Sequence, residues 1–200
     1  MNDESGFDFP LPPFDDMQNL TRMRFLHDMV LRHGHRESGV ALEIGVFKGC
    51  STVFLSMAAR KRGFDRVYGL DLFTGTPSWE QDGLDTYEEA RGRMEEYGLD
   101  RFVALLRGDS RELPWETPID VLHIDGDHSY EGVANDFRRF TPHLTSRGLV
   151  VFEDYDPWHP GVLDAVHEAL ATRDWEVVGV NWSDGAYGSI ALRRRSPVPD

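Results

Sequence analysis

Acidic side chains follow two apolar segments of this chain, at the points where each segment ends. Asp125 comes directly after residues 121–124, and Glu153 and Asp154 come directly after residues 149–152. Short apolar runs of this kind are typical of strands buried in a parallel sheet. Because ligands bind at the carboxyl ends of such strands, the three carboxylates are expected to lie together at one edge.

Three carboxylates at one place repel one another unless protons or a cation neutralise them. An all-oxygen ligand set suits Mg²⁺, Ca²⁺ or Mn²⁺, and the sequence places neither a thiolate nor a pair of histidines at ligand spacing for zinc. We therefore expect Asp125, Glu153 and Asp154 to lie within reach of one hard divalent cation. The alternative is that these acids cap helices or face solvent, since aspartate after a strand is a common N-cap.

A glycine-containing turn follows the first predicted strand, residues 40–44. Gly45 and Gly49 leave room for a ligand to lie against the backbone, and a helix opens at Ser51 with its free N–H groups aimed at the edge of the sheet. The spacing is not GxGxxG, which argues against a nicotinamide or flavin site. Purely structural turn glycines are the alternative.

Two further polar positions follow strands. Asp71 ends the second predicted strand, where nucleoside-binding folds accept ribose hydroxyls, because one carboxylate takes two O–H donors. Asp109 and Ser110 follow the third predicted strand and could hold an adenine amino group. A turn or helix cap is the alternative for all three residues.

Two loops at the same edge carry aromatic residues. Residues 72–85 are too long for a tight connection and contain Trp79, and residues 155–161 contain Tyr155 and Trp158. These side chains suggest a ring-shaped acceptor such as a sugar or a phenol, although a tryptophan packed on its own loop is as good an interpretation. Nitrogen remains open as the acceptor atom.

Composition limits the classes of partner. The chain has 200 residues, 40% of them hydrophobic and 12% aromatic, which suits one globular domain. A formal charge of -14 argues against nucleic acid and anionic membranes as partners. Cys50 is the single cysteine, the first residues lack the features of a signal peptide, and no apolar run approaches the roughly 20 residues of a membrane span. We expect a cytoplasmic protein.

Hydrophobic periodicity predicts alternating strands and helices. The predicted helices are 17–31, 51–62, 86–97, 130–144 and 162–171, and the predicted strands are 40–44, 66–70, 102–106, 121–124, 149–152, 175–180 and 187–192. The last two strands are joined by a short link and must be antiparallel. The prediction is an α/β fold with a doubly wound, mostly parallel seven-stranded sheet and an antiparallel last strand. Residues 1–16 are expected to form an N-terminal arm and residues 17–195 a single domain.

The pattern of Glu43, Gly45, Gly49 and Ser51, with Asp71 at the end of the second strand, resembles the class I S-adenosylmethionine-dependent methyltransferases. The resemblance covers nearly the whole chain from about residue 17 and implies their Rossmann-like methyltransferase fold.

Within that superfamily, residues 69–77, 124–133 and 151–155 resemble the metal-dependent macrocin O-methyltransferase-like group. That group includes sugar O-methyltransferases of macrolide and aminocoumarin biosynthesis and the cephamycin methoxylation protein.

The resemblance implies S-adenosylmethionine as the cofactor and Mg²⁺ held by Asp125, Glu153 and Asp154. The residues it implies for the cofactor site are Glu43, Gly45, Gly49, Ser51, Asp71, Leu72, Asp109 and Ser110. It also implies a base near the ion, which relatives place at the position of His128 or at that of Asp127. We favour His128, because a neutral imidazole accepts a proton near neutral pH, while a helix-start histidine without chemistry is the alternative.

The predicted function is that of a Mg²⁺-dependent O-methyltransferase acting on a small molecule with adjacent oxygens, a sugar or other natural product of the kind found in antibiotic biosynthesis. Two other classes stay open. One is a non-catalytic S-adenosylmethionine-binding partner of another biosynthetic enzyme, and the other is a metal-dependent hydrolase. The chain is short for the sugar-modifying members, so the acceptor and a homo-oligomeric state are also open.

Overall fold

The computed structural model describes residues 6–13, 20–34, 39–75, 84–183 and 187–195, and a seven-stranded sheet lies at the centre of this part of the chain. The strands are β1 (Val40–Ile44), β2 (Arg66–Asp71), β3 (Val103–Arg107), β4 (Ile119–Ile124), β5 (Leu144–Phe152), β6 (Trp175–Ser183) and β7 (Tyr187–Arg194). The helices are α1 (Leu20–His33), α2 (Cys50–Lys61), α3 (Tyr87–Glu96), α4 (Tyr130–Phe140) and α5 (Pro160–Ala171).

The strand order across the sheet is β3-β2-β1-β4-β5-β7-β6. The strands from β3 to β5 in this order are parallel to one another, and β7 runs antiparallel to both β5 and β6. The predicted α/β fold with an antiparallel last strand is therefore confirmed.

Alternate side chains of the central strand β4 pack into two different cores. All six of its residues are buried. Val121 lies in the cluster that includes Met23 of α1 and Phe54 of α2, whereas Leu122 lies in the cluster that includes Val133 of α4 and Val166 of α5. Because successive side chains of a strand point to opposite faces, helices cover both faces of the sheet.

Helix α4 ends earlier than the helical periodicity of residues 130–144 predicts. It stops at Phe140, and a short 3₁₀ turn over Thr141–His143 leads directly into β5. Pro142 has no N–H to continue the helical hydrogen bonds, which accounts for the early end that its position suggested.

The described part of the N-terminal arm, residues 6–13, packs on the body of the protein without helix or strand. Phe9 is buried, with ring centroids 5.4 Å from Phe54 and 6.0 Å from His27. The division into an arm and one domain stays a prediction. Residues 76–83 of the predicted loop 72–85, including Trp79, lie outside the described residues. None of the helices that the structure describes is long and apolar enough to cross a bilayer.

A buried carboxyl lies beneath the turn that follows β3. Asp136 of α4 is 2% exposed, and its Oδ1 accepts hydrogen bonds from the Ser110 hydroxyl at 2.6 Å and from the Asn135 amide at 3.3 Å. Burial raises the pKa of Asp136 to about 6, although both hydrogen bonds favour the ionised form. The ionised carboxylate at neutral pH is therefore a destabilising feature of the fold.

We expect Asp136→Asn to stabilise the protein near pH 7.5, because the amide keeps an acceptor for Ser110 and removes a buried charge. A pKa raised from 3.8 to about 6 on folding means that stability falls as pH rises between these two values, by up to about 3 kcal/mol in all. Urea unfolding near pH 7.5 and near pH 5 should show the gain shrinking at the lower pH. Asp164→Asn, at an exposed position of α5, should change stability at neither pH.

We also expect Gly45→Ala to destabilise the fold far more than Gly63→Ala. Both glycines have positive φ, 90° and 80°, so both variants carry a backbone cost of about 1–2 kcal/mol. A Cβ on Gly45 would also overlap the carbonyl of Asp125, whereas a Cβ on Gly63 would meet no atom within 4 Å in the described structure. Equal urea midpoints for the two variants would show that β1 and β4 do not need this close approach.

Candidate active site

The predicted site residues lie along the carboxyl edge of the sheet. The N–H of Asp125 donates to the carbonyl of Ile44 at 2.8 Å, and the N–H of Glu153 donates to the carbonyl of Ile124 at 3.1 Å. These bonds place the first residues after β4 and β5 side by side with the turn after β1. The segments gathered at this edge are 45–49, 71–72, 108–110, 125–128 and 153–154.

The glycine turn after β1 brings the backbone close to the acidic residues. Gly45 lies against the carbonyl of Asp125, and Gly49 adopts φ 82° directly before α2. Among the described side chains none caps this helix, so backbone N–H groups of its first turn remain available to an anion. The turn therefore has the form that the sequence predicted for a ligand lying on the backbone.

Asp71 holds two turns together at this edge. Its Oδ2 accepts the N–H groups of Val46 and Phe47, each at 2.7 Å, and its Oδ1 accepts the N–H of Phe73 at 2.7 Å. An ionised carboxylate has about four acceptor sites, so some capacity remains for a hydroxyl donor. Leu72 beside it is 48% exposed, which is high for a large apolar side chain.

Two of the predicted cofactor residues face the inside of the protein. Glu43 is fully buried, accepts the hydroxyl of Thr52 and lies 3.0 Å from Nδ1 of His123. Ser51 is 2% exposed within the first turn of α2. The structure therefore places the Glu43 carboxylate between strand and helix and not on the open edge.

The turn after β3 places Asp109 and Ser110 at the edge, each with a partner. Asp109 forms an ion pair with Arg111 at 2.7 Å, and this hydrogen bonding lowers the pKa of Asp109. The Ser110 hydroxyl is engaged by Asp136, as described above. An adenine amino group at this turn would share these acceptors with the residues that already use them.

His128 lies between two of the predicted acids. Its Nε2 is 3.5 Å from Oδ1 of Asp125 and 3.3 Å from Oδ2 of Asp154. Burial disfavours the charged imidazole, but the two carboxylates outweigh burial and raise the pKa of His128. Burial and the neighbouring carboxylates also raise the pKa of Asp125 against the opposing effect of His128. Both raised pKa values favour a proton bound within the group formed by Asp125, His128 and Asp154.

Arg22 of α1 forms ion pairs with both Glu153 and Asp154. The Nε atom of Arg22 is 2.5 Å from Oε1 of Glu153, and its Nη1 is 2.5 Å from Oδ1 of Asp154. The second oxygen of Glu153 accepts the Ser189 hydroxyl at 3.0 Å. The structure brings Asp125 and Asp154 to a common neighbour, while both oxygens of Glu153 have protein partners.

His123 is a buried charged residue that the sequence analysis did not identify. It lies in β4 with Nδ1 3.0 Å from Glu43 and Nε2 3.9 Å from Glu153. Burial opposes its charge, but the two carboxylates outweigh burial and raise the pKa of His123 to about 10. The available signal was a histidine inside the apolar run of residues 121–124.

A second histidine that the sequence analysis did not single out completes the acidic group. The His159 ring lies 4.8 Å from the His128 ring, centroid to centroid, and its Nδ1 is 3.9 Å from Asp154. The same Nδ1 is 3.1 Å from Oδ1 of the fully buried Asp156. Only the fold brings His128 and His159 together, since they follow different strands.

Asp127, the other candidate base, belongs to the start of α4. Its side chain accepts the N–H of Ser129 at 2.9 Å, and the Ser129 hydroxyl in turn accepts the N–H of Gly132 at 3.1 Å. Asp127 is exposed, in contrast to half-buried His128. This role at the start of α4 is the one that aspartate commonly has beside a helix N-terminus.

Exposed or half-buried aromatic side chains lie in the loop that follows Asp154 and in β6. Trp158 is 73% exposed, and Tyr155 lies 6.0 Å from Trp182 of β6, ring to ring. Tyr155 also hydrogen-bonds His167 through its hydroxyl at 3.1 Å. Trp182 was not identified from the sequence, because its strand lies far along the chain from the loop it meets.

Curated relatives match only part of this chain. An uncharacterised protein of Acanthamoeba polyphaga mimivirus is 44% identical over 55 residues, which are 26% of this chain and 25% of that protein. The matched segment thus spans about a quarter of the length of that relative.

Two solved structures share the fold over most of their length. An O-methyltransferase from Bacillus cereus, solved in complex with SAH, has a TM-score of 0.66 and 20% identity, covering 92% of this chain and 84% of that one. TomG from Streptomyces achromogenes, an O-methyltransferase involved in tomaymycin synthesis and solved with SAM, has a TM-score of 0.65 and 22% identity, covering 90% and 82%.

The family comparison agrees with the topology and with the arrangement at the carboxyl edge. Residues 42–155, which include the glycine turn, Asp71 and the acidic residues, match the family described as Methyltransferase domain. The chain therefore belongs to the Methyltransferase domain family and has the class I, Rossmann-like methyltransferase fold that its sequence predicted.

Proposed function

We propose that the protein transfers the methyl group of S-adenosylmethionine to a hydroxyl oxygen of a small molecule. The observation that carries this proposal is the contact of Gly45 with the backbone of Asp125. It puts a turn suited to a nucleoside cofactor next to a group of acids and an imidazole suited to acceptor chemistry. The Bacillus cereus and Streptomyces achromogenes structures, both O-methyltransferases by description, support the same assignment.

The glycine turn and Asp71 are the proposed cofactor residues at the heart of the site. The uncapped first turn of α2 favours the carboxylate of the methionine moiety, and Asp71 has remaining capacity for a ribose hydroxyl. Leu72 offers an exposed apolar surface for the adenine ring, next to the turn formed by Asp109 and Ser110. Glu43 and Ser51 support these residues from beneath.

The acceptor hydroxyl is proposed to lie beside Asp154 and to lose its proton to one of two residues, His128 or Asp127. The resulting alkoxide attacks the sulfonium methyl group in line, and no covalent intermediate with the protein forms. Positioning of the two reactants would supply most of the acceleration, since orientation contributes roughly 7–11 kcal/mol. Three exposed or half-buried aromatic residues, Tyr155, Trp158 and Trp182, favour a ring-shaped acceptor such as a sugar or other natural product.

A divalent cation remains part of the proposal. The predicted ligands fit it in part: Asp125 and Asp154 each present an oxygen to the same side of His128, whereas Glu153 would have to leave Arg22 and Ser189. When bound, Mg²⁺ or another hard cation lowers the pKa of an acceptor hydroxyl and orients two adjacent oxygens. A cytoplasmic location and a homo-oligomeric state also stay predictions.

We expect Asp71→Asn to weaken binding of S-adenosylhomocysteine by about tenfold or more, because a charge-assisted hydrogen bond to ribose is worth roughly 1.5–3 kcal/mol. Isothermal titration calorimetry measures this directly. Asp100→Asn, exposed at the opposite edge before β3, should bind like the unchanged protein. If the unchanged protein shows no affinity for S-adenosylhomocysteine, a hydrolase becomes the better assignment.

We expect Asp154→Asn to abolish methyl transfer while S-adenosylhomocysteine binds with affinity within about threefold of the unchanged protein. The carboxylate adjoins His128 but lies away from the Asp71 turn, so the acceptor side alone should fail. Formation of S-adenosylhomocysteine is measured with catechol and a panel of vicinal-diol sugars as acceptors. Full activity in this variant would contradict the acceptor site placed here.

A further inference from the structure

Because Glu153 is engaged by other residues, the groups that remain to ligate a metal at the acidic edge differ from those predicted from the sequence. Both Glu153 oxygens are taken, by Arg22 at 2.5 Å and by Ser189 at 3.0 Å, and the side chain is 1% exposed. Oδ1 of Asp154 is taken by the same guanidinium at 2.5 Å. Oδ2 of Asp154 lies 3.3 Å from Nε2 of His128, and Nδ1 of His159 lies 3.9 Å from Oδ1.

The imidazole rings of His128 and His159 form a compact group with Asp154. His128, Asp154 and His159 each offer one ligand atom, and these three atoms lie within 4.8 Å of one another. Two ligand atoms bonded at about 2.0–2.2 Å to one first-row metal ion are at most about 4.4 Å apart, so small movements of these side chains suffice to bring the group around an ion. Two histidines and one carboxylate leave further coordination positions open for substrate oxygens.

The surroundings of both imidazoles favour metal ligation over simple hydrogen bonding. In the described part of the chain, Nε2 of His128 is buried and has no hydrogen-bonded partner, although two carboxylate oxygens are within 3.5 Å. Asp156 pairs with Nδ1 of His159 at 3.1 Å, the carboxylate–imidazole pairing that orients a metal-bound histidine and leaves Nε2 as its ligand. Both rings are 27% exposed and therefore reachable by an ion.

We propose that His128, Asp154 and His159 form a site for a late first-row divalent metal such as Co²⁺ or Zn²⁺, with Glu153 retained by Arg22 outside the coordination shell. Imidazole nitrogen binds such ions more tightly than it binds Mg²⁺, so the site selects against the hard cation that an all-oxygen set would take. The inference rests on the proposed function and replaces the hard cation at its acceptor side with a late first-row metal held by these three residues. With His128 as a metal ligand, Asp127 is the one of the two candidate bases that remains to accept the proton of the acceptor hydroxyl.

The test is titration of the full-length, tag-free protein with CoCl₂, followed by calorimetry and by the visible absorption of the bound ion. We expect one Co²⁺ per chain with the spectrum of imidazole ligation, undisturbed by a hundredfold excess of Mg²⁺. His159→Ala should weaken Co²⁺ binding by at least about tenfold, since loss of even a supporting partner costs 10–100-fold. His143→Ala, at the opposite edge of the sheet before β5, should bind Co²⁺ unchanged.

Three results would overturn the metal site: absence of Co²⁺ binding, unchanged Co²⁺ affinity in His159→Ala, or displacement of Co²⁺ by a similar concentration of Mg²⁺. Binding of S-adenosylhomocysteine is measured on the same samples. If Co²⁺ binding fails while that affinity persists, the metal site is wrong and the methyltransferase assignment stands. If the unchanged protein lacks affinity for S-adenosylhomocysteine, the proposed function itself fails.

Discussion

A row of buried charges crosses the middle of the sheet, and the arrangement of the surrounding elements depends on it. Glu43, His123, Glu153 and Arg22 come from β1, β4, the end of β5 and α1, and each is almost fully buried. An unpaired charge at any of these positions would be strongly destabilising, because burial removes the water that solvates it. The row is therefore satisfied only when the two strands, the strand end and α1 are in register together.

This row also determines which polar atoms the edge presents to a ligand. Arg22 holds Glu153 and one oxygen of Asp154. The second oxygen of Asp154 and the two histidine rings are therefore the groups that remain for a ligand. On the other side of Asp125, the turn at Gly45 lies directly against the backbone. The proposed cofactor site and the proposed acceptor site thus share one boundary, which is the geometry that transfer between two bound molecules requires.

The strands and helices could be predicted because their signals are local. Residues 40–44 are apolar except for Glu43 and form the strand β1 in the structure, since burial on both sheet faces favours apolar side chains along the whole strand. The hairpin of β6 and β7 followed from the short link between them. The exact end of α4 depended on Pro142 and on the start of β5, so periodicity alone extended the helix too far.

The sequence by itself determined the fold class, the glycine turn after β1, and the placement of Asp125 and Asp154 at one edge, because each depends on neighbours in the chain. Only the tertiary structure decided what these side chains touch. Arg22 precedes Glu153 by more than a hundred positions, and His159 reaches His128 from another strand, so neither contact leaves a pattern in the sequence. Long-range pairing of charges is a property of packed elements, and packing decides which carboxylates remain available to a ligand.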